Sequence, residues 1–323
     1  MVARILIILV ILASLLVYIM SGTGGVSGSV IVHKPDLGIG ANLNGRIPFP
    51  VDSVWNRSID KMSVDPNSDT LIRGIGMDVS LHPDFGANLD GAPFGIPYVV
   101  IAGNTPKVPV AFEYADESDP GPHPIPPGAP IEGDQDGTGD RHILIIDRDH
   151  WKLYELFSAY PDGVGWKAGS GAIFDLKSSR LRQAGWTSAD AAGLPIFPGL
   201  VRYDEVVGMR EIRHALRFTV AQSRRAYTHP ARHFASSNTS PSLPPMGMRV
   251  RLKANYDISS FPPHAQTILR TLKKYGMILA DNGSNWFVSG APDVRWDDEQ
   301  LNTLKRVKGR DFEVVKMGEI ITQ

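Results

Sequence analysis

The chain contains no cysteine. Disulfide bridges, thiolate metal sites and a cysteine nucleophile are therefore excluded. The 323 residues, of which 42% are hydrophobic, are enough to bury a core without covalent cross-links. A small disulfide-framed module is thus excluded, and we expect a large domain that is held together by its core.

The chain also lacks an excess of charge of either sign, since it has 33 Lys and Arg residues and 34 Asp and Glu residues. No overall field attracts nucleic acid, so we expect no nucleic-acid partner. The sequence lacks a glycine-rich phosphate loop, a GxSxG elbow and an HExxH pair. These absences argue against nucleotide hydrolysis and serine esterases. The acidic segment 134–140 lacks the terminal glutamate of a calcium loop, and we predict no cofactor and no metal.

Charge is almost absent from the N-terminus, where Arg4 is the only Lys, Arg, Asp or Glu before Lys34. Residues 5–20 are apolar or small, which is typical of a segment that enters a translocon or a lipid bilayer. Arg4 favours export of the chain that follows. We predict that residues 1–22 are a signal peptide or a membrane anchor, that residues 23–45 are a flexible spacer, and that the protein is extracellular or at the cell surface.

Residues 46–318 have the pattern of a single mainly β domain. Short apolar runs, several of them alternating with polar residues, are separated from one another by segments rich in glycine and proline. The runs are 97–102, 107–114, 142–146, 153–157, 172–176, 199–203, 215–220 and 248–254. This spacing is typical of an antiparallel β-sandwich, jelly-roll-like, with a few short helices. One helix is predicted after Pro262, with Gly276 ending it. The proline-rich segment 115–140 is predicted to be a rim or lid.

Glycoside hydrolysis requires two carboxyl groups that flank the scissile bond. Asp190 lies in a segment with few charges, and Asp204 and Glu205 follow a predicted strand. We predict Asp190 with either Asp204 or Glu205 as the carboxyl pair, and His214 as a supporting group. The alternatives are an Asp190 carboxylate that accepts backbone N–H groups and a His214 ring held inside the core.

Arginines on two predicted strands suggest a basic strip, because alternate residues of a strand share a face. Loop tryptophans add flat apolar surfaces on which sugar rings stack, although each is also a possible core residue. The predicted substrate-binding residues are Arg213, Arg217, Arg232, His233, Arg249, Arg251, Trp186 and Trp286. The histidines and the aspartate at positions 82, 84, 123, 142 and 229 indicate metal binding only weakly.

A resemblance extends over nearly the whole chain after the spacer. It is carried by LHPDFG, DRHILIIDRD, AGSGAIFDL, GWTSADAAGLPIFPGLVRYDEV, HALRFTV, ARHFAS and YGMILADNGSNW. With these segments the chain resembles a family of exported bacterial β-rich proteins. The resemblance implies a single secreted domain and brings no activity or catalytic residues with it.

These features predict an extracellular protein that degrades or binds polysaccharide. Hydrolysis by a carboxyl pair is the first prediction. A polysaccharide lyase on uronate-containing glycans is the nearest alternative, since a basic strip would neutralise the uronate while His214 or Tyr203 removes a proton. A non-catalytic glycan-binding surface protein is the third. The expected partners are a polysaccharide, neutral or acidic, and a membrane through the N-terminal segment.

Overall fold

The computed structural model describes residues 33–89, 91–133 and 139–322. The predicted signal peptide or anchor lies outside these residues, as does the first part of the predicted spacer. Among the described residues, no helix has both the length and the apolar character that crossing a membrane requires.

The described residues form eighteen strands and three α-helices. The strands are β1 Gly38–Ile39, β2 His82–Asp84, β3 Gly86–Leu89, β4 Ala92–Phe94, β5 Tyr98–Ile101, β6 Val110–Phe112, β7 Ile143–Asp147, β8 Lys152–Phe157, β9 Tyr160–Asp162, β10 Gly165–Ala168, β11 Ser170–Asp175, β12 Leu216–Val220, β13 Tyr227–Thr228, β14 Arg249–Leu252, β15 Met277–Asn282, β16 Phe287–Ser289, β17 Phe312–Val314 and β18 Ile320–Ile321. The α-helices are α1 Ser68–Ile75, α2 Pro263–Lys274 and α3 Asp298–Asn302. Strand exceeds helix, 27% against 16%, so the mainly β prediction is confirmed.

A five-stranded sheet with the order β1-β5-β7-β8-β11 has apolar cores on both faces. In the central strand β7, Leu144 and Ile146 belong to one core, whereas Ile143 and Ile145 belong to the other. A strand that is buried on both faces needs a nearly continuous apolar run, which the ILII sequence of β7 provides.

The second large sheet has the order β17-β14-β15-β12-β16-β2 and positions the candidate site. Its core face packs against α1 and α2, with Phe218, Leu279 and Val288 fully or almost fully buried. Helix α2 forms where the sequence predicts it, because its buried residues recur at helical spacing and Gly276 follows it with a φ of 65°.

The five-stranded and six-stranded sheets are mixed, so the antiparallel jelly-roll sandwich is not confirmed. Parallel pairing joins β5 to β7, β6 to β10, β12 to β15 and β16 to β2. A strand's alternation shows which residues share a face, but it carries no information about the direction of the neighbouring strand. The predicted strand at 199–203 is wrong. A 3₁₀ turn, Phe197–Gly199, and a π-helix, Asp204–Met209, occupy this region.

The folded unit begins before residue 46. Strand β1 pairs with β5, and Leu43 is buried with only 1% of its surface exposed. The part of the predicted spacer at residues 33–45 therefore belongs to the fold. Leu43 explains this, because an apolar side chain gains free energy when it leaves water for the core of the five-stranded sheet.

His123 is a fully buried histidine within the proline-rich segment 115–140. Its ring lies between the rings of Phe112 and Tyr154, and neither ring nitrogen has a hydrogen-bond partner among the described residues. Burial lowers the pKa of His123 to about 4 from its usual 6.5, because the charged ring would lose its hydration.

The stability of the fold is therefore expected to decrease as the pH falls from 6.5 towards 4. In this range the unfolded chain takes up a proton at His123 and the folded chain does not, which costs about 3 kcal/mol over the interval. We expect His123→Phe, which keeps an aromatic ring between Phe112 and Tyr154, to remove this part of the pH dependence. Urea unfolding of both proteins at several pH values tests this, and parallel stability curves would contradict it.

Candidate functional site

The solvent-facing side of the six-stranded sheet carries a row of polar and aromatic side chains. Thr219 on β12 pairs with Asp281 on one side and with Phe287 on the other. Phe287 pairs in turn with His82. Paired residues on adjacent strands project from the same face, so these four side chains lie side by side across the sheet. All four are partly exposed.

A second row on the same face lies two residues further along the strands. Ser289 pairs with Asp84, and the pairing of Phe218 with Val288 places Arg217 opposite Ser289. Phe218 and Val288 themselves point to the opposite face, into the core. The alternation of β12 thus separates the buried core from a polar face.

Arg217 is the centre of this face and is bound by Asp190. Its Nε and Nη2 each lie 2.7 Å from a carboxylate oxygen of Asp190, and its Nη1 donates to Ser289 Oγ at 2.5 Å. A further oxygen, Asp281 Oδ2, lies 3.5 Å from Nη2. Burial by itself would lower the pKa of Arg217, but the Asp190 carboxylate raises it above the usual value. The guanidinium is therefore a permanent buried charge.

Asp281 combines access to solvent with an altered acidity. Its side chain is 22% exposed. Burial, together with the negative charge of Asp190, raises the pKa of Asp281 to about 7. Burial and the charge of Glu132 also raise the pKa of Asp84 in the second row. The face therefore holds two accessible carboxyl groups that are harder to ionise than usual.

Glu132 and His142 form an ion pair beside this face. Glu132 Oε2 lies 2.5 Å from His142 Nδ1, and the other ring nitrogen of His142 lies 3.0 Å from the Ala189 carbonyl oxygen. Burial alone would raise the pKa of Glu132, but the charge of His142 outweighs it and lowers the pKa. The ligand atoms of Glu132, His142 and Asp140 lie within 4.8 Å of one another, so these residues could hold a metal ion.

A cavity of about 470 Å³ adjoins Glu132. Its walls include Ile131 and Gly133, the neighbours of Glu132 in the chain, and are otherwise mainly proline, glycine and alanine. Cavities of this size are typical of small-molecule sites.

Glu155 shows why altered acidity alone does not define the site. Burial raises the pKa of Glu155 to about 7, as it does for Asp281. Glu155, however, is fully buried, and its oxygens accept the backbone N–H groups of Ile196 and Phe197. We assign it a structural role, since substrate cannot reach it.

Asp204, Glu205 and His214 lie in a different buried cluster around Arg202. Arg202 Nη2 is 2.7 Å from Glu205 Oε1, and its Nε is 3.5 Å from Asp204 Oδ1. His214 Nε2 lies 3.0 Å from Glu205 Oε2. The predicted pairing of Asp190 with Asp204 or Glu205 is wrong, because Asp190 is held by Arg217 and the other two by Arg202. The π-helix turns both acids towards one guanidinium, whereas the prediction assumed a strand. His214 is the core histidine of the alternative interpretation.

The predicted basic strip is also wrong. Strand β15 separates β12 from β14, so the two arginine-bearing strands are not neighbours. Arg249 is buried and donates to the carbonyl oxygens of Val54, Arg57 and Tyr275. Arg251 is buried as well and binds Glu313. The donors of each guanidinium are bound to oxygen atoms nearby, so Arg249, Arg251 and the buried Arg217 do not form an exposed basic groove.

The remaining predicted binding residues have several roles. Arg213 donates to Gly45 O, Arg232 donates to Arg182 O, and His233 binds Ala191 O, so all three tie loops together. Trp286 is fully buried, and its ring stacks between two phenylalanine rings of the core, which makes its predicted role wrong. Trp186 is half-buried and lines a surface groove.

The sequence does contain a signal for Asp281 and Asp84, which the prediction of catalytic residues did not include. Asp281 follows the apolar run 277–280 directly, and Asp84 stands at the end of a short strand. A carboxylate at the end of a buried strand is costly unless it has a partner or a function.

The sheet face thus offers a group that can exchange a proton near neutral pH, a second carboxyl group and a stacked pair of aromatic rings. Since chemistry of this kind occurs on many folds, function must be inferred from the site. Comparison of the chain with protein-family models, with curated proteins and with solved structures finds no match in any of the three.

Proposed function

We propose that this chain is a glycoside hydrolase that degrades an extracellular polysaccharide, with Asp281 as the proton donor and Asp84 as the second carboxyl group. The observation that carries the proposal is the pKa of Asp281, raised to about 7 on a side chain that solvent still reaches. The proposal includes export of the chain through residues 1–22, as in the secreted bacterial proteins that the chain resembles.

Asp281 suits the role of general acid for two reasons. Below about pH 7 it keeps the proton that the leaving glycosidic oxygen needs. After transfer, the carboxylate faces the guanidinium of Arg217 at 3.5 Å, which stabilises the newly formed negative charge. Asp190 holds this guanidinium in place through both of its oxygens.

Asp84 lies on the other side of the sheet face, because its strand β2 is three strand positions from the Asp281 strand in the order β15-β12-β16-β2. At about 4.8 Å per strand, the strand axes are roughly 14 Å apart, so the two side chains leave space between them. Retention requires carboxyl groups about 5–5.5 Å apart, which is far less than this spacing, whereas inversion requires about 6.5–9.5 Å. The proposal is therefore inversion, in which Asp84 activates a water molecule, and it requires the two side chains to lean towards each other across β12 and β16.

A glycan is the proposed substrate because an aromatic surface lies in the same row as Asp281. The rings of His82 and Phe287 stack with centroids 4.0 Å apart and planes 12° apart. Burial and the nearby Lys305 lower the pKa of His82, which favours a neutral ring. Because each ring covers one face of the other, the pair offers a ligand its edges and outer faces, against which the C–H groups of a sugar ring can pack.

The charge of the face favours a neutral glycan over an acidic one. Asp84, Glu132 and Asp281 surround it, and its guanidinium, Arg217, is already bound by Asp190. A uronate would meet repulsion from those carboxyl groups that are ionised, and Arg217 is not free to offset it. The lyase alternative loses its support, because it requires a cation that is free to neutralise the uronate.

The test is to incubate the purified chain with soluble neutral polysaccharides, namely β-glucan, xylan and dextran, and to measure new reducing ends. We expect products from the wild-type protein and none from the double variant Asp84→Asn/Asp281→Asn. Binding without products from either protein would reject hydrolysis and support the non-catalytic glycan-binding alternative. Proton NMR of the first product reports the anomer, and inversion is expected.

A further inference from the structure

A second polar cavity lies away from the sheet face. It has a volume of about 490 Å³ and is lined by Asp119, Ile173, Phe174, Asp175, Ser178, Arg180, Leu181, Arg182, Gln183 and Trp186. We call it the Trp186 groove. It contains none of the residues assigned above to proton transfer, so its function is argued independently of catalysis.

Trp186 forms an aromatic wall of this groove. The guanidinium of Arg182 lies 5.5 Å from the centre of its ring. Arg182 is itself held by the Asp119 carboxylate, by the Thr187 carbonyl oxygen at 2.8 Å and by the Glu117 carbonyl oxygen at 2.8 Å. A half-buried indole with a fixed cation beside it loses little conformational entropy when a ligand stacks on it.

Free hydrogen-bonding groups surround this ring. Within the described residues, the side chains of Arg180 and Gln183 make no hydrogen bond or ion pair, and both are exposed. Asp175 accepts one backbone N–H and has acceptor capacity left. Donors and acceptors are thus available together around one apolar ring, as hydroxyl-rich ligands require.

The charges of the groove balance. Arg182 is neutralised by Asp119, and the lining holds one further cation, Arg180, and one further anion, Asp175. A highly charged ligand therefore meets no excess of opposite charge in the groove, whereas neutral hydroxyl groups can use both signs.

We propose that the Trp186 groove is a second carbohydrate-binding site, which holds sugar residues of a neutral glycan by stacking on Trp186 and by hydrogen bonds to Arg180, Gln183 and Asp175. The groove and the sheet face belong to opposite ends of one short segment, because Trp186 and Asp190 are four residues apart.

The experiment measures binding of soluble β-glucan, xylan and dextran by affinity electrophoresis and calorimetry. The parent protein is the Asp84→Asn/Asp281→Asn double variant, so that no probe is consumed. We expect Trp186→Ala to weaken binding of the preferred probe at least about tenfold, and Gln183→Ala to weaken it less. Trp166→Ala is the matched control, since Trp166 is also half-buried but lies in β10, outside the groove. Thermal unfolding verifies that each variant is folded.

Weaker binding in Trp186→Ala with unchanged binding in Trp166→Ala supports the proposal. Equal binding by Trp186→Ala and its parent overturns it, and so does the failure of all three probes to bind. The result is independent of hydrolysis, because the groove can bind glycan even if the wild-type protein releases no reducing ends.

Discussion

Replacing Asp190 with alanine is expected to lower the free energy of unfolding by about 3–5 kcal/mol. The change removes both charge-assisted hydrogen bonds to Arg217, a residue that is only 4% exposed. Asp281 Oδ2, at 3.5 Å, is too distant to replace two contacts of 2.7 Å. The cost arises mainly because a buried positive charge is left without its partner.

Urea unfolding measures this loss, and Asp162→Ala is the matched control. Asp162 pairs with Lys167 at 3.1 Å, but both side chains are at least half exposed, so its removal should cost no more than about 1 kcal/mol. In the double variant Asp190→Ala/Arg217→Met, no charge remains unpaired, and the loss should be smaller than the sum of the two single losses. Additive losses would contradict a direct energetic coupling of Asp190 and Arg217.

Replacing Asp281 with asparagine is expected to reduce kcat/KM on the polysaccharide that the wild type cleaves by about 10²–10⁴-fold. Asparagine preserves the shape of the side chain but has no acidic proton to donate. For the wild type, activity should fall as the pH rises through about 7, because Asp281 then loses the proton that the leaving group needs. The residual activity of the variant should lack this basic limb. Asp257→Asn, which removes an exposed carboxylate, serves as the control and should leave the rate unchanged.

The same substitution is expected to increase stability at neutral pH. A carboxyl group whose pKa is raised in the folded state destabilises the fold progressively as the pH rises from about 4 to about 7. Asparagine carries no such cost. Lower activity together with higher stability therefore separates a catalytic role from simple unfolding, whereas full activity of the variant at every pH would reject Asp281 as the acid.

The sequence by itself determined the helices and strands whose formation depends on residues that are close together in the chain. The apolar run at 143–146 forms a doubly buried strand, and helix α2 lies between Pro262 and Gly276 as expected. The absence of cysteine is sufficient by itself to exclude disulfides. Where local geometry differed from the expectation, as in the π-helix at Asp204–Met209, the predicted direction of the side chains failed with it.

The candidate site was decided by tertiary structure. Asp84, Arg217 and Asp281 are far apart in the chain, and they share one sheet face only because β15 and β16 flank β12 while β2 pairs with β16. Asp190 reaches Arg217 from a loop. Sequence alternation could place Arg217 on a strand face, yet it could not show that a loop acid would bury this charge. Alternation is a property of a single strand, whereas the choice of neighbour, register and burial depends on contacts between distant segments, and those contacts also set the acidity of Asp281.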